Sequence, residues 1–74
     1  MLENEIIQVI SSCIGESVSL NVYSNIKNTE NWDSLAQMRI ILTLEQKFGI
    51  TFTDEEAGYF TSVESFISAI ETRK

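Results

Sequence analysis

Asp33 and Ser34 stand side by side at the head of an apolar-periodic run, in the stretch Asn31-Trp32-Asp33-Ser34-Leu35-Ala36-Gln37-Met38. An acid beside a hydroxyl raises the question of nucleophilic chemistry, but a serine nucleophile needs a base to take its proton. The chain has no histidine. Its lysines are Lys27, Lys47 and Lys74, and a chain this short offers no closed pocket to desolvate one of them. Cys13 is the single cysteine. It has no base beside it in the sequence and reads as a small apolar residue rather than a reactive thiol. No cysteine–histidine cluster suits zinc. The acids at 54–56 lack the alternating ligands and central glycine of a calcium loop, and a phosphate-binding glycine loop is absent. One chemistry remains that needs no base from the chain itself, namely modification of the Ser34 hydroxyl by another enzyme. A helix N-terminus favours anions, so a phosphodiester there is electrostatically suited. A plainer reading stands beside it. Ser34-Leu35-Ala36-Gln37 has the Ser-x-x-Gln form of a capping box, in which the hydroxyl accepts a first-turn N–H and contributes about 1 kcal/mol. Asp33 would add favourable charge near the helix dipole under this reading.

The elements that would position these residues are legible in the apolar spacing. Leu2, Ile6, Val9, Ile10 and Cys13 recur at threes and fours, which predicts a first helix over 2–14 with Glu3 and Glu5 at its positive end and Gly15 as its stop. Residues 16–33 are expected to form a long ordered loop. Val18, Leu20 and Val22 alternate like a strand, but no second convincing strand exists to pair with it. Those three and Ile26 are expected to pin the loop to the core, and the polar cluster Asn25, Lys27, Asn28, Thr29, Glu30 and Asn31 supports a loop.

Residues 34–48 form the strongest helical pattern. At 100° per residue, Leu35, Met38, Ile41, Leu42, Leu44 and Phe48 fall on one broad arc with Ile40 at its edge. Arg39, Thr43, Gln46 and Lys47 take the other side. So wide an arc marks a central helix touching several elements, and Gly49 should end it. Glu45 falls inside the arc, where an unpaired buried carboxylate is costly, so it is expected at a rim, in solvent or facing a partner. Ile50 and Phe52 bracket a short link. Thr53-Asp54-Glu55-Glu56 has the form of a capping box for a helix of one or two turns, weakened by Gly58. Thr61-Ser62-Val63-Glu64 has the same form. Val63, Phe66, Ile67 and Ile70 then predict a last amphipathic helix, with Arg73 and Lys74 suiting its negative end. The fold class expected is all-α, a small bundle of three main helices and one short one.

Composition bounds the function. At 74 residues the chain is expected to be one domain, 1–74, with 43% hydrophobic and 22% charged residues and no proline. Eleven acids against five bases give a net charge of −6. That balance repels phosphate backbones and argues against nucleic acid as a partner, while it suits basic patches on partner proteins or simple solubility. One cysteine cannot form an internal disulfide. Glu3 and Glu5 interrupt any signal-peptide pattern, and no apolar run reaches membrane-spanning length. A monomer in the cytoplasm, without membrane insertion, is the expectation.

The run Asp33-Ser34-Leu35 at the start of the second helix resembles the attachment motif of acyl carrier proteins. Leu44-Glu45-x-x-Phe48-Gly49-Ile50 lies at the expected distance downstream. Asp54-Glu55-Glu56-Ala57 and then Thr61-Ser62-Val63 follow before the terminal helix. The likeness covers nearly the whole chain, most firmly 32–70, and implies the four-helix carrier architecture. It implies that Ser34 carries 4′-phosphopantetheine, installed from coenzyme A by a phosphopantetheinyl transferase that Asp33 helps position. Leu35 and Met38 match apolar positions that dock partner enzymes. The arm would hold an acyl group as a thioester, delivered by an acyl- or aminoacyl-loading ligase and passed to downstream acyl-transferring enzymes. The protein itself would not be an enzyme.

The departures from the pattern carry information too. Fatty-acid carriers typically have acids two and five residues after the serine, where this chain has Ala36 and Arg39. Arg39 reverses the sign, and like charges at an interface suppress wrong partners. Asn31-Trp32 replaces the usual small-residue lead-in, and Thr53 stands where a proline often opens the third helix. The Trp-Asp-Ser-Leu form is similar to stand-alone carriers of specialised pathways. Arg39, Glu45, Glu55 and Glu56 join Leu35 and Met38 as expected partner-binding residues. Trp32 is expected to pack in the core, as large aromatics usually bury their area. An aminoacyl, D-alanyl or peptidyl carrier is the alternative. A non-catalytic helical adaptor, with Ser34 only a cap, is the other.

Overall fold

The computed structural model describes residues 2–15 and 19–73. Among these residues the regular elements are four helices: α1 (Leu2–Ile14), α2 (Ser34–Phe48), α3 (Asp54–Tyr59) and α4 (Val63–Arg73). The all-α bundle expected from the spacing is therefore present, with α3 the short member. Val18 and Lys74 lie outside the described residues.

α1 buries Ile6, Val9 and Ile10 of the stripe read from the sequence, and also Ile14, which that stripe did not include, while Leu2 packs half-buried against the core; Glu3 and Glu5 stand in its first turn. α4 buries Val63, Phe66, Ala69 and Ile70. α1 packs against both α2 and α4. Trp32 and Phe52 enter the same core from the connecting segments, so Trp32 is a core residue as its size predicted. Cys13 is half-buried against this core. Phe52, Phe60 and Phe66 form an aromatic cluster, with edge contacts of 5.8 and 6.1 Å from Phe52 to the other two rings.

α2 differs from the sequence reading in which side it buries. Its buried residues are Ala36, Gln37, Ile40, Ile41 and Leu44. Leu35, Met38 and Leu42 point outward, 61%, 63% and 55% exposed. Apolar residues surround most of this helix, so periodicity alone could not say which arc faces α1. Small Ala36 allows close approach on the buried side, and Gln37, polar by type, is taken inside because the fold satisfies its amide. α2 ends where Gly49 adopts φ 66°, ψ 38°. That left-handed conformation favours glycine, and the N–H groups of Gly49 and Ile50 both donate to Glu45 O, at 2.9 and 3.2 Å.

Two of the three expected capping boxes are replaced by a cap at an adjacent residue, the one before in α2 and the one after in α4. Asp33, not Ser34, caps α2: its Oδ1 accepts the Ala36 N–H at 2.9 Å. Ser62, not Thr61, caps α4: its Oγ accepts the Ser65 N–H, and Ser65 Oγ accepts the Ser62 N–H, both at 3.1 Å. Asp and Ser are at least as good at the cap position as the residues they displace, and the backbone chose the neighbour. The box at Thr53 forms as expected, with Thr53 Oγ1 accepting from Glu56 N–H and Glu56 Oε1 from Thr53 N–H.

The described part of the loop, 19–33, is ordered by its own side chains. Asn25 Oδ1 accepts the N–H groups of Lys27 and Asn28, and Asn21 Oδ1 accepts that of Tyr23. Leu20 and Ile26 pack against the core, and Val22 is half-buried. Beyond the alternating run, the loop makes one minimal bridge to a distant segment. Asn25 and Ser62 form an antiparallel bridge, with Ile26 N–H donating to Thr61 O and Val63 N–H to Ser24 O, both at 2.9 Å.

Candidate functional site

The chain reaches Ser34 through a tight, well-defined entry. Asn31 has φ 67°, a left-handed conformation that asparagine tolerates better than most side-chain-bearing residues. The next residue, Trp32, turns inward and is 3% exposed. Asp33 then extends (φ −112°, ψ −170°) and caps the helix. Ser34 is the first helical residue, and it is exposed. Its hydroxyl makes no hydrogen bond to any described residue, because Asp33 has taken the capping task. The side chain is thus free at the positive end of a 15-residue helix.

Gln37 lies one turn below, inside the fold. Its Oε1 accepts the Trp32 indole N–H at 2.8 Å. Its Nε2 donates to Ala57 O at 2.9 Å and to Phe60 O at 2.6 Å, carbonyls at the C-terminal end of α3. Beside it a cleft of about 310 Å³ runs between α2 and α3, lined mainly by Met38, Ile41, Leu42, Phe52 and Ala57. Nothing in the sequence marked Gln37 as a buried residue, since all three partners come from other segments.

The residues expected to bind partners divide into two groups. Leu35, Met38 and Arg39 are exposed on α2, and Glu55 is exposed on α3. Glu45 is half-buried and its Oε2 accepts the Phe52 N–H at 2.8 Å, so its rim position is explained by an internal bond. Glu56 is likewise occupied, by Thr53 N–H and by an ion pair with Arg73. Those two contacts, the backbone N–H first, hold the Glu56 carboxyl below the usual carboxylate range. Arg73 also lies over the rings of Phe52 and Phe60, at 5.1 and 5.9 Å from their centroids. Among the described residues no group of His, Cys, Asp and Glu is arranged to hold a metal ion, and no helix is long and apolar enough to cross a membrane.

Comparison with known proteins accords with this geometry. The family model described as "Phosphopantetheine attachment site" matches residues 4–70. The chain is 31% identical over 67 residues to an acyl carrier protein of Exiguobacterium sp. (strain ATCC BAA-1283 / AT1b), covering 89% of this chain and 85% of that one. It is 30% identical over 79 residues to an acyl carrier protein of Prochlorococcus marinus (strain MIT 9515), covering 100% and 99%. An acyl carrier protein of Chlamydia caviae is 31% identical over 74 residues, covering 99% and 96%. With its four-helix fold and these matches along its length, the chain belongs to the acyl carrier protein family, whose cofactor is covalently attached 4′-phosphopantetheine.

Proposed function

We propose that Ser34 is the residue that takes the phosphopantetheine arm, and that this chain is a stand-alone carrier of acyl groups for a specialised pathway, not itself an enzyme. The observation that carries the assignment is the division of labour between neighbours. Asp33 caps α2, which leaves the Ser34 hydroxyl exposed at the first helical position, with no hydrogen bond to any described residue. Loading converts that hydroxyl to a phosphodiester. Ser34 Oγ bonds to the phosphorus that bears the pantetheine arm of coenzyme A, the bond to 3′,5′-ADP breaks, and the serine proton passes to a base supplied by the transferase. The partial positive charge of the α2 N-terminus favours the anion so formed. Once attached, the arm offers a terminal thiol that holds an acyl group as a thioester at high effective concentration near each docked enzyme.

The specialised role is supported by the outer face of α2. Leu35, Met38 and Leu42 present an apolar strip there beside exposed Arg39. The helix's one acid, Glu45, is bonded to Phe52 N–H. Enzymes that read an acidic second helix would meet the wrong sign.

The deciding experiment is intact-protein mass after incubation with coenzyme A, magnesium and a promiscuous phosphopantetheinyl transferase. The wild type gains one phosphopantetheinyl group. Ser34→Ala and Ser34→Asp stay folded and gain none. Loading of Ser34→Ala, or none in the folded wild type, overturns the assignment and leaves the helical adaptor as the better reading. Incubating the loaded carrier with fatty-acyl and aminoacyl ligases in turn then separates an acyl from an aminoacyl or D-alanyl cargo.

A further inference from the structure

Among the described residues, the buried polar side chains are Ser24 and Gln37. Ser24 serves its own turn, its Oγ accepting the N–H of Asn21. Gln37 reaches much further. Its three bonds join residues 5, 20 and 23 positions away in sequence. All the hydrogens of its amide are used, and its oxygen has a partner. An apolar residue of the same shape would fill this space but leave the buried Trp32 indole N–H and the two carbonyls without this partner, so the amide ties three segments together as well as filling volume.

What it directs is the site. Trp32 is two residues before Ser34, and its indole is tied to Gln37. Ala57 and Phe60 mark the end of α3, a six-residue helix that buries no residue of its own. The orientation of α3 therefore depends on its two ends. Thr53 and Glu56 fix the first, and at the second Gln37 acts together with the Phe60 ring, which packs against Phe52 and Phe66. One amide thus couples the entry to Ser34, the first turns of α2 and the far end of α3.

We propose that Gln37 is a positioning residue for the loading of Ser34. It holds Ser34, the exposed residues Leu35 and Met38, and α3 as one preformed surface for the transferase. The inference rests on Ser34 being the attachment residue. Without the amide, the competent arrangement is populated only part of the time, and apparent affinity falls by that fraction. Chemistry within the docked complex is unaltered.

The test is steady-state loading by a promiscuous phosphopantetheinyl transferase, with coenzyme A saturating and the carrier concentration varied. Gln37→Met keeps the shape and removes all three bonds. Trp32→Phe keeps a buried aromatic ring and both Gln37 bonds to α3, and removes the indole N–H together with part of the ring volume. Ile10→Val, in the core contributed by α1, serves as a control that lowers stability without touching the latch. For Gln37→Met the KM for the carrier should rise about tenfold at unchanged kcat, corresponding to a competent fraction of about one tenth. Trp32→Phe should shift in the same direction by less, and Ile10→Val should leave KM unchanged even where its melting temperature is lower. An unchanged KM in folded Gln37→Met overturns the proposal, as does an equal rise in Ile10→Val. Should Gln37→Met fail to fold, an unchanged KM in Trp32→Phe overturns it. Failure of the wild type to load at all removes the Ser34 assignment and this inference together. Normal wild-type loading with unmoved variants removes this inference alone.

Discussion

Asp33→Ala and Ser34→Ala should separate two tasks that adjoin in the chain. Asp33 accepts the Ala36 N–H, so Asp33→Ala should lower stability by about 1 kcal/mol, about 4–8 °C in a thermal melt for a domain of this size. Ser34→Ala removes no bond to a described residue and should stay within about 0.5 kcal/mol of wild type, while loading is lost. The reverse ranking in the melts would restore Ser34 as the cap. Glu56 offers a second test at this scale, through pH. Its folded carboxyl is held low by Thr53 N–H and Arg73, so the unfolded chain binds the proton more readily. The stabilisation is therefore present above the unfolded value of about 4.3 and is lost as pH falls through the depressed folded value. Glu56→Gln keeps an oxygen for Thr53 but removes the charge. Its melting temperature should lie below wild type at neutral pH, and the gap should close in acid; a gap independent of pH would sink the argument. The Thr-x-x-Glu signature at Thr53 could be read directly, because both bonds lie within four residues. Ser34 and Thr61 carried the same kind of signature and lost it to neighbours, because the pattern does not say which of two adjacent hydrogen-bonding residues the backbone will place at the cap.

At the scale of elements, α1 and α4 were legible because each has one apolar stripe and one polar side. α2 was legible as a helix but not in its orientation, since it is apolar on two sides and only one faces α1. Leu42→Gln and Leu44→Ala test the observed orientation. Leu42 is 55% exposed and Leu44 fully buried. Leu44→Ala should cost about 2–5 kcal/mol, whereas Leu42→Gln should change stability by no more than about 0.5 kcal/mol. Chemical denaturation reads both, and similar losses would contradict the assigned faces. The loop was legible as a loop from its polar cluster and lone alternating run. Its bridge to residue 62 was not, because that contact joins segments 37 positions apart. Gln37 was hidden for the same reason: a buried amide is explained only by carbonyls that sequence does not place beside it.

The whole molecule measures 29 × 27 × 19 Å and carries a net charge of −6. At about 10 mM salt the screening length is about 30 Å, so every surplus acid senses the others across the fold. At about 150 mM it is about 8 Å, and that repulsion is confined to near neighbours. The melting temperature should therefore rise between these conditions at neutral pH. A fall would mean that attractive pairs such as Glu56 with Arg73 outweigh the surplus. Trp32 carries a consequence of another kind. It is the chain's one tryptophan, shielded from water and hydrogen-bonded by the side chain that grips the end of α3. Excitation of indole alone selects a single chromophore two residues from Ser34, with no label and no background from elsewhere in the molecule. Nature has in effect placed an optical gauge under the loading site, and its colour and lifetime can be followed in real time as an enzyme arrives.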